Sequence, residues 1–252
     1  MRCVIKISSQ LTTRVAEYAK IIIWAMEQGH LVVSVVGGSV REGLQVLRLS
    51  DTPLDQQVAA GVGQIRMMQC WGRACRRSGV EAAQLLFTHD DVLVGPNNIR
   101  EVIERCWELR NPRVALFANA NDVVLDREAR LTAKVSENAM GAAILARRLE
   151  ADKLFLLGLV PGVFTTDPSV DPSAELIREV TELDPAFAEQ FSDESQDGSF
   201  GGMRKTVEAC IFAASAGSEV YVACGRPAGN LRRLFQGEEI GTVFRPNAAR
   251  RP

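Results

Sequence analysis

The chain has 252 residues, of which 46% are hydrophobic and 24% are charged, and this composition excludes a globally disordered protein because it can build a sizeable core. Its 29 basic residues stand against 31 acidic ones, which gives a formal net charge of -2. No overall positive field therefore attracts nucleic acid or an anionic membrane, and we expect neither as a partner.

The N-terminus and the six cysteines indicate a reducing, soluble compartment, so we expect a cytoplasmic protein. The first residues read as a strand without the cleavage site of a secretory signal. The apolar run at 21–26 is flanked by Lys20 and Glu27 and is too short to span a bilayer. The cysteines form no CxxC pair and mostly sit in apolar or helical patterns, which favours buried free thiols.

Strand and helix patterns alternate along the chain. Apolar or β-branched runs predict strands at 3–7, 30–36, 84–87, 114–118, 153–157 and 219–223. Helical spacing predicts helices at 14–28, 56–78, 98–109, 137–150 and 203–216. We expect one α/β domain over residues 1–252, a three-layer αβα sandwich with a mostly parallel central sheet. Ligands of such a sheet gather at the carboxyl ends of its strands.

Two features at the ends of the first two predicted strands suit a phosphate group. Lys6 interrupts an apolar strand, so it either neutralises a phosphate from the strand end or faces water from an edge strand. Gly37-Gly38-Ser39 follows the second strand, and its glycines leave backbone N–H groups open to an anion. A plain tight turn is the alternative for this glycine pair.

Polar residues follow the predicted strand at 114–118. Asn119, Asn121 and Asp122 suit a small zwitterion, with Asp122 on its amine and the amides on its carboxylate. An Asx turn is the alternative interpretation.

A glycine-rich segment precedes the last predicted helix. Residues 192–202 are rich in Ser, Asp, Gln and Gly and predict a mobile loop. The run Gly-Ser-Phe-Gly-Gly-Met-Arg-Lys at 198–205 places glycines and two cations where a helix begins. A helix N-terminus with basic side chains suits phosphate, whereas a solvated connection is the alternative.

Taken in order, these motifs resemble the amino acid kinase family, and within it the catalytic domain of the glutamate 5-kinases, from residue 4 to about residue 244. The matching segments are Val-Ile-Lys-Ile-Ser-Ser at 4–9, Gly38 with Gly43, Val-Gly-Gln at 62–64, Gln-Leu-Leu-Phe-Thr at 84–88, Asn-Ala-Asn-Asp at 119–122, Gly-Val-Phe-Thr-Thr-Asp-Pro at 162–168 and Gly-Gly-Met at 201–203. The resemblance implies a substrate-side half over roughly residues 1–150 and a nucleotide-side half over roughly residues 151–245. It also implies a catalytic domain without the RNA-binding-like domain that follows in many relatives.

The resemblance further implies an ATP-dependent kinase that uses Mg2+ and phosphorylates a carboxylate of glutamate or a related small acid, giving an acyl phosphate. It assigns catalysis to Lys6 and Lys205. The implied substrate-binding residues are Gly38, Asn119, Asn121, Asp122, Glu137 and Asn138. The implied nucleotide-binding residues are Phe164, Asp167, Pro168, Gly201, Gly202 and Met203. As partners we expect this small carboxylate substrate and further copies of the chain in a homo-oligomer.

Several departures fall on polar positions of the family pattern. The family's Gly-Asp-Asn-Asp reads Ser-Glu-Asn-Ala at 136–139, its Thr-Asp reads Gly-Leu at 158–159, and Gly37 replaces a serine. The lysine expected after Gly-Gly-Met is Thr206, with Lys205 one residue earlier. One residue along a helix rotates a side chain by roughly 100°, so Lys205 replaces that lysine only if the loop register also shifts. A changed substrate is one expectation, and an impaired relative that binds or regulates is the alternative.

Overall fold

The computed structural model describes residues 1–88, 98–109, 113–124, 138–191 and 202–247, with Asn138 described by its backbone alone. The segment predicted as a mobile loop lies outside these residues except for Gly202. None of the described helices is long and apolar enough to cross a membrane.

An eight-stranded sheet forms the middle layer, with the strand order β3-β4-β2-β1-β5-β7-β8-β6. The bounds are β1 Arg2–Ile7, β2 Leu31–Val36, β3 Val80–Phe87, β4 Arg113–Ala120, β5 Lys153–Gly158, β6 Glu179–Val180, β7 Glu219–Cys224 and β8 Thr242–Phe244. The strands from β3 to β7 in this order run parallel. β8 pairs antiparallel with β7 and parallel with β6. The predicted mostly parallel sheet is confirmed.

Helices cover both faces of the sheet, which confirms the three-layer sandwich. The helices within the described residues are α1 Val15–Glu27, α2 Ser39–Leu47, α3 Pro53–Arg76, α4 Asn98–Glu108, α5 Asn138–Arg148, α6 Met203–Ser215 and α7 Gly229–Phe235, with 3-10 turns at Ser9–Arg14 and Pro185–Gln190. Buried side chains of α4, α5 and α6 pack with Val4 and Leu116 on one face. Those of α1, α3 and α7 pack with Ile5 and Phe117 on the other face.

The observed elements differ from the predicted ones at several places. β3 begins at Val80 and not at residue 84, and β4 includes Asn119 and Ala120, which were expected to end the strand. The strand β1 lies between β2 and β5, so the interpretation of Lys6 as an edge-strand lysine is wrong. The helices α2 and α7 and the short strands β6 and β8 were not predicted, because each is short and the buried residues of α2 are Ser39 and Gly43 and not large apolar side chains.

The six cysteines are free, and they differ in exposure. Cys3, Cys75 and Cys210 are buried, Cys106 and Cys224 are half-buried, and Cys70 is exposed. Burial raises the pKa of the Cys3 thiol to about 12. The prediction of a buried thiol is wrong for Cys70, because this residue lies on the outer side of α3, where Arg73 Nη2 is 3.6 Å from its sulfur.

The helices α2 and α3 cross in direct backbone contact. A Cβ atom on Gly43 would lie 1.9 Å from the carbonyl oxygen of Ala59, and one on Gly63 would lie 1.8 Å from that of Ser39. Both positions therefore require glycine, because a methyl group at such distances would force the helices apart. The contact holds the first turn of α2 against the middle of α3.

Gly63→Ala should lower the free energy of unfolding by about 2 kcal/mol, because the new methyl group displaces the backbone of α2. Gly61→Ala is the matched control on the same helix, since its Cβ atom would meet nothing closer than Val123 Cγ2 at 3.8 Å. Helix propensity alone favours alanine by up to about 1 kcal/mol at an open position. Urea denaturation of both variants checks this, and equal effects would contradict the crossing.

The side chain of His30 is poised to make stability depend on pH. Its ring stacks on Phe235 with centroids 5.1 Å apart, and its buried Nδ1 has no hydrogen-bond partner among the described residues. Burial, and then the positive N-terminus, lower the pKa of His30 below its usual 6.5. The unfolded chain therefore binds this proton at a higher pH than the folded protein does.

The free energy of unfolding should fall as the pH drops below about 6.5, and the loss should level off below the folded-state pKa. In His30→Phe this part of the decrease should vanish, because the titrating group is gone. Urea denaturation at several pH values between 5 and 8 measures the two profiles. Parallel profiles would assign the pH dependence to other groups.

Candidate functional site

The predicted site residues of β1, β2 and β4 lie at the carboxyl ends of these strands, which together form one edge of the sheet. Lys6 is in register with Val35 of β2 and Leu156 of β5, and Val35 is in register with Ala118 of β4. The Gly37-Gly38 end of β2 thus lies between Lys6 and the 119–122 segment. Adjacent strands are about 4.8 Å apart, so the backbones of β1 and β4 are about 10 Å apart.

The half-buried side chain of Lys6 points to the face that α4, α5 and α6 cover. It alternates with Ile5 and Ile7, whose side chains pack on the opposite face. The carboxyl end of α6 is held at the amino ends of β5 and β7, where Ser218 Oγ donates to the carbonyl oxygen of Ala151 at 2.7 Å. The first turn of α6 therefore lies at the same edge and on the same face as Lys6.

The start of α6 suits an anion. Gly202 is the N-cap and is buried, and no side-chain hydrogen bond caps the helix. Backbone N–H groups of an uncapped first turn can donate to a phosphate. Lys205 is exposed, whereas Thr206 is half-buried, so Thr206 lies nearer the core side of the helix.

Gly38 joins the loops that follow β1 and β2. Its φ of +111° is in the left-handed region, and a Cβ atom at this position would lie 3.1 Å from Ser9 Cβ. Both facts favour glycine here. Gly38 is the N-cap of α2, and no side-chain hydrogen bond caps this helix either.

Buried polar groups connect Asn119 to Asp122. Asn119 is 2% exposed, and its Nδ2 donates to Ser39 Oγ at 3.3 Å. Ser39 is 1% exposed, and its Oγ donates to Asp122 Oδ2 at 3.5 Å. Asn121 and Asp122 are half-buried. Asn119 is thus enclosed and is linked to Asp122 through Ser39. Asp122 is held by the Ser39 hydroxyl and is partly exposed at the surface.

A second polar connection supports the same loop from α3. Gln64 is buried, accepts a hydrogen bond from Gln84 Nε2 at 2.7 Å and donates to the carbonyl oxygen of Ala120 at 3.5 Å. The backbone N–H of Asn121 donates to the carbonyl oxygen of Phe87 at 2.9 Å. Sequence reasoning gave Ser39 and Gln64 no supporting role. Gln64 occupies a core-facing position of α3, and a glutamine at helical spacing among apolar residues was the available signal.

The nucleotide-side residues lie on a segment that leaves the end of β5. Phe164 is half-buried and forms an isolated bridge with Leu176. Thr242 Oγ1 accepts a hydrogen bond from the Val163 backbone at 2.8 Å and donates to the carbonyl oxygen of Ile177 at 2.6 Å. Thr242 thereby holds Val163 and Ile177, the two ends of this segment, close together.

Asp167 and Pro168 lie in the middle part of this segment, and both are exposed. The Asp167 carboxylate accepts hydrogen bonds from Ser169 Oγ at 2.6 Å and from the Ser169 backbone at 2.8 Å, and both lower the pKa of Asp167. These bonds hold Asp167 within its own turn. Met203 is the half-buried first residue of α6. Glu137, Gly201 and the side chain of Asn138 lie outside the described residues.

The Ser39–Asn119 hydrogen bond predicts a coupled pair of mutations. Ser39→Ala and Asn119→Ala should each destabilise the protein, and the double variant should lose about 0.5–1 kcal/mol less than the sum, because both single changes remove one shared bond. Urea denaturation gives the four free energies of the cycle. Ser39→Ala combined with Ser218→Ala is the control pair and should be additive, since Ser218 bonds to Ala151 at the opposite edge.

Comparisons with known proteins agree with one another on the fold. A family model described as the amino acid kinase family matches residues 1–224. Glutamate 5-kinase of Methylococcus capsulatus is 33% identical over 262 residues, which cover 98% of this chain and 68% of that protein. Glutamate 5-kinase of Chromohalobacter salexigens is 36% identical over 263 residues, covering 98% and 67%. The chain thus spans about two thirds of the length of these relatives.

Among solved structures, UMP kinase from Bacillus anthracis superposes with a TM-score of 0.65. The match covers 98% of this chain and 96% of that one at 16% sequence identity, so it bears on the fold alone.

Proposed function

The chain belongs to the amino acid kinase family, and we therefore propose that it is an ATP-dependent kinase acting on a carboxylate of glutamate or a related small amino acid. A carboxylate oxygen attacks the γ-phosphorus of ATP, the bond to the β-phosphate oxygen breaks, and an acyl phosphate and ADP result. One observation carries the proposal: Lys6, Asp122 and the uncapped starts of α2 and α6 lie along one edge of the sheet.

The transfer needs charge neutralisation more than covalent catalysis, because a carboxylate is already nucleophilic. Lys6 lies one residue before the end of β1, at the strand ends where both helices begin, and its ammonium would stabilise negative charge on the γ-phosphoryl group. The backbone N–H groups after Gly38 and Gly202 would donate to phosphate oxygens. The partial burial of Lys6 strengthens such an interaction, since less water screens it.

Asp122 would bind the amine of the substrate. The Ser39 hydroxyl donates to the Asp122 carboxylate and orients it, so the group that would bind the amine is positioned before the substrate binds. The spacing of about 10 Å between the backbones of β1 and β4 leaves room for a small amino acid whose reacting carboxylate points toward Gly38 and Lys6. Asn121, beside Asp122, is half-buried and offers an amide to the same ligand.

Mg2+ fits this site when the nucleotide carries it. Within the described residues no group of three His, Cys, Asp or Glu side chains could hold a metal ion. Mg2+ commonly keeps several waters and binds through one or two carboxylates together with substrate phosphates. When bound, it would neutralise charge on the β- and γ-phosphates, while Lys6 and the helix starts hold the remaining oxygens.

A binding or regulatory protein without phosphoryl transfer is the second candidate. The exposed position of Lys205 and the half-buried position of Thr206 favour it, because the described helix brings no lysine to the core side of its first turn. The persistence of Lys6 and Gly38 at the sheet edge favours the kinase.

With ATP, Mg2+ and hydroxylamine, a panel of small amino acids should yield a hydroxamate from at least one substrate, which traps the acyl phosphate. Lys6→Ala should then lower kcat on the order of 100-fold, about 3 kcal/mol, because it removes a preorganised charge. Lys6→Arg should rescue poorly, since a planar guanidinium does not replace a compact ammonium.

The control is Lys20→Ala, which removes a charge from the exposed side of α1 and should leave turnover unchanged. Near-normal turnover of Lys6→Ala would contradict the role of Lys6 and indicate that Lys205 supplies the catalytic charge. Lys205→Ala tests that outcome. Binding of ATP without any hydroxamate across the panel would support the regulatory protein.

A further inference from the structure

Two arginines from distant parts of the chain converge on the turn that follows β1. Arg41, in the first turns of α2, donates from Nη2 to the carbonyl oxygen of Ser9 at 2.7 Å. Arg226, after β7, donates from Nη2 to the carbonyl oxygen of Gln10 at 3.2 Å. The accepting residues are consecutive, so both guanidinium groups lie over one short turn.

Both arginines project from backbone that is fixed by close contacts. The crossing of α2 and α3 at Gly43 holds Arg41 two residues earlier. A Cβ atom on Gly225 would lie 2.3 Å from Leu11 Cδ1, and the Tyr18 hydroxyl donates to the Gly225 carbonyl oxygen at 2.5 Å. The residue before Arg226 is thereby packed against α1 and the turn itself.

Neither guanidinium has a carboxylate partner in the part of the chain that the structure describes. Neighbouring charges are paired: Arg14 with Glu17 at 3.1 Å, and Glu42 with Arg66 at 2.8 Å. Both arginines are exposed. Within the described residues no carboxylate offsets their two positive charges, so both would attract an anion that binds between them. Each guanidinium carries five N–H donors, of which the carbonyl bond uses one.

We propose that Arg41 and Arg226 form a binding site for a phosphate group above the Ser9–Gln10 turn. Guanidinium groups match the geometry of phosphate oxygens, and two of them hold one phosphate from two sides. The adjoining residues Leu11 and Tyr18 pack with the α1 face of the sheet, whereas Lys6 points to the opposite face. The site is therefore distinct from the position assigned to the γ-phosphoryl group, although only a few residues separate them.

The phosphate group has two sources that the chemistry alone does not separate. It belongs either to the polyphosphate chain of the nucleotide or to a free phosphate or phosphorylated small molecule. The nucleotide source rests on the proposed function, and the free source does not. In the first case the two arginines, which are exposed like Lys205, would add to the positive charge that Lys6 supplies.

Calorimetric titration of the full chain with Mg2+-ATP, tripolyphosphate and inorganic phosphate tests the site. We expect Arg41→Gln and Arg226→Gln each to weaken binding of the phosphate probe about tenfold, with Arg41→Lys in between. Arg77→Gln is the matched control, because it removes the same charge from the exposed end of α3 and should change nothing. Thermal melting of each variant checks that it is folded.

The arms of the titration separate the possible results. Weakened binding of Mg2+-ATP and tripolyphosphate identifies the nucleotide as the source. Weakened binding of inorganic phosphate in a chain that does not bind ATP supports the site while the proposed kinase fails. Unchanged affinities in folded Arg41→Gln and Arg226→Gln, or no binding of any probe by the wild-type chain, would overturn the site.

Discussion

The backbone contact between α2 and α3 is the constraint on which the substrate side of the candidate site depends. Glycine at 43 and 63 lets the two helices touch, and this contact fixes the first turn of α2. Ser39 occupies that turn, between the buried amide of Asn119 and the carboxylate of Asp122. The backbone contact between α2 and α3 thus helps to determine the position of the Asp122 side chain at the surface.

The site lies across the edge of the sheet, with its two halves supported from opposite faces. Lys6 and the start of α6 lie on the face that α4, α5 and α6 cover. Asn119 is in register with Leu86 of β3, and its amide lies beneath α2, on the side of α3. Only at the strand ends could a ligand contact both sets of groups, and Gly38 lies there between them with a left-handed φ of +111°.

The sequence predicted most of the sheet because its central strands are continuous apolar runs, such as 30–36 and 153–157. An apolar run does not determine the order of the strands in the sheet. Lys6 could therefore be interpreted as a phosphate-binding or as an edge-strand lysine, and the position of β1 between β2 and β5 excludes the edge strand. Asn119 was read as the end of a strand because an unpaired amide is costly to bury. Its partner Ser39 is 80 residues away, so the satisfied bond is invisible locally. The helix α2 escaped prediction because it buries chiefly Ser39 and Gly43.

The enclosed polar groups beneath the 119–122 loop also shape how this protein can diversify. Ser39, Gln64 and Asn119 are buried, so a substitution there changes folding stability as well as the support of the proposed ligand site. Asn121 and Asp122 are only half-buried, and their replacement leaves the supporting bonds of Gln64 and Asn119 in place. If the proposed site is correct, substitutions at these two surface positions change the groups offered to a ligand without removing the buried hydrogen bonds that support the loop.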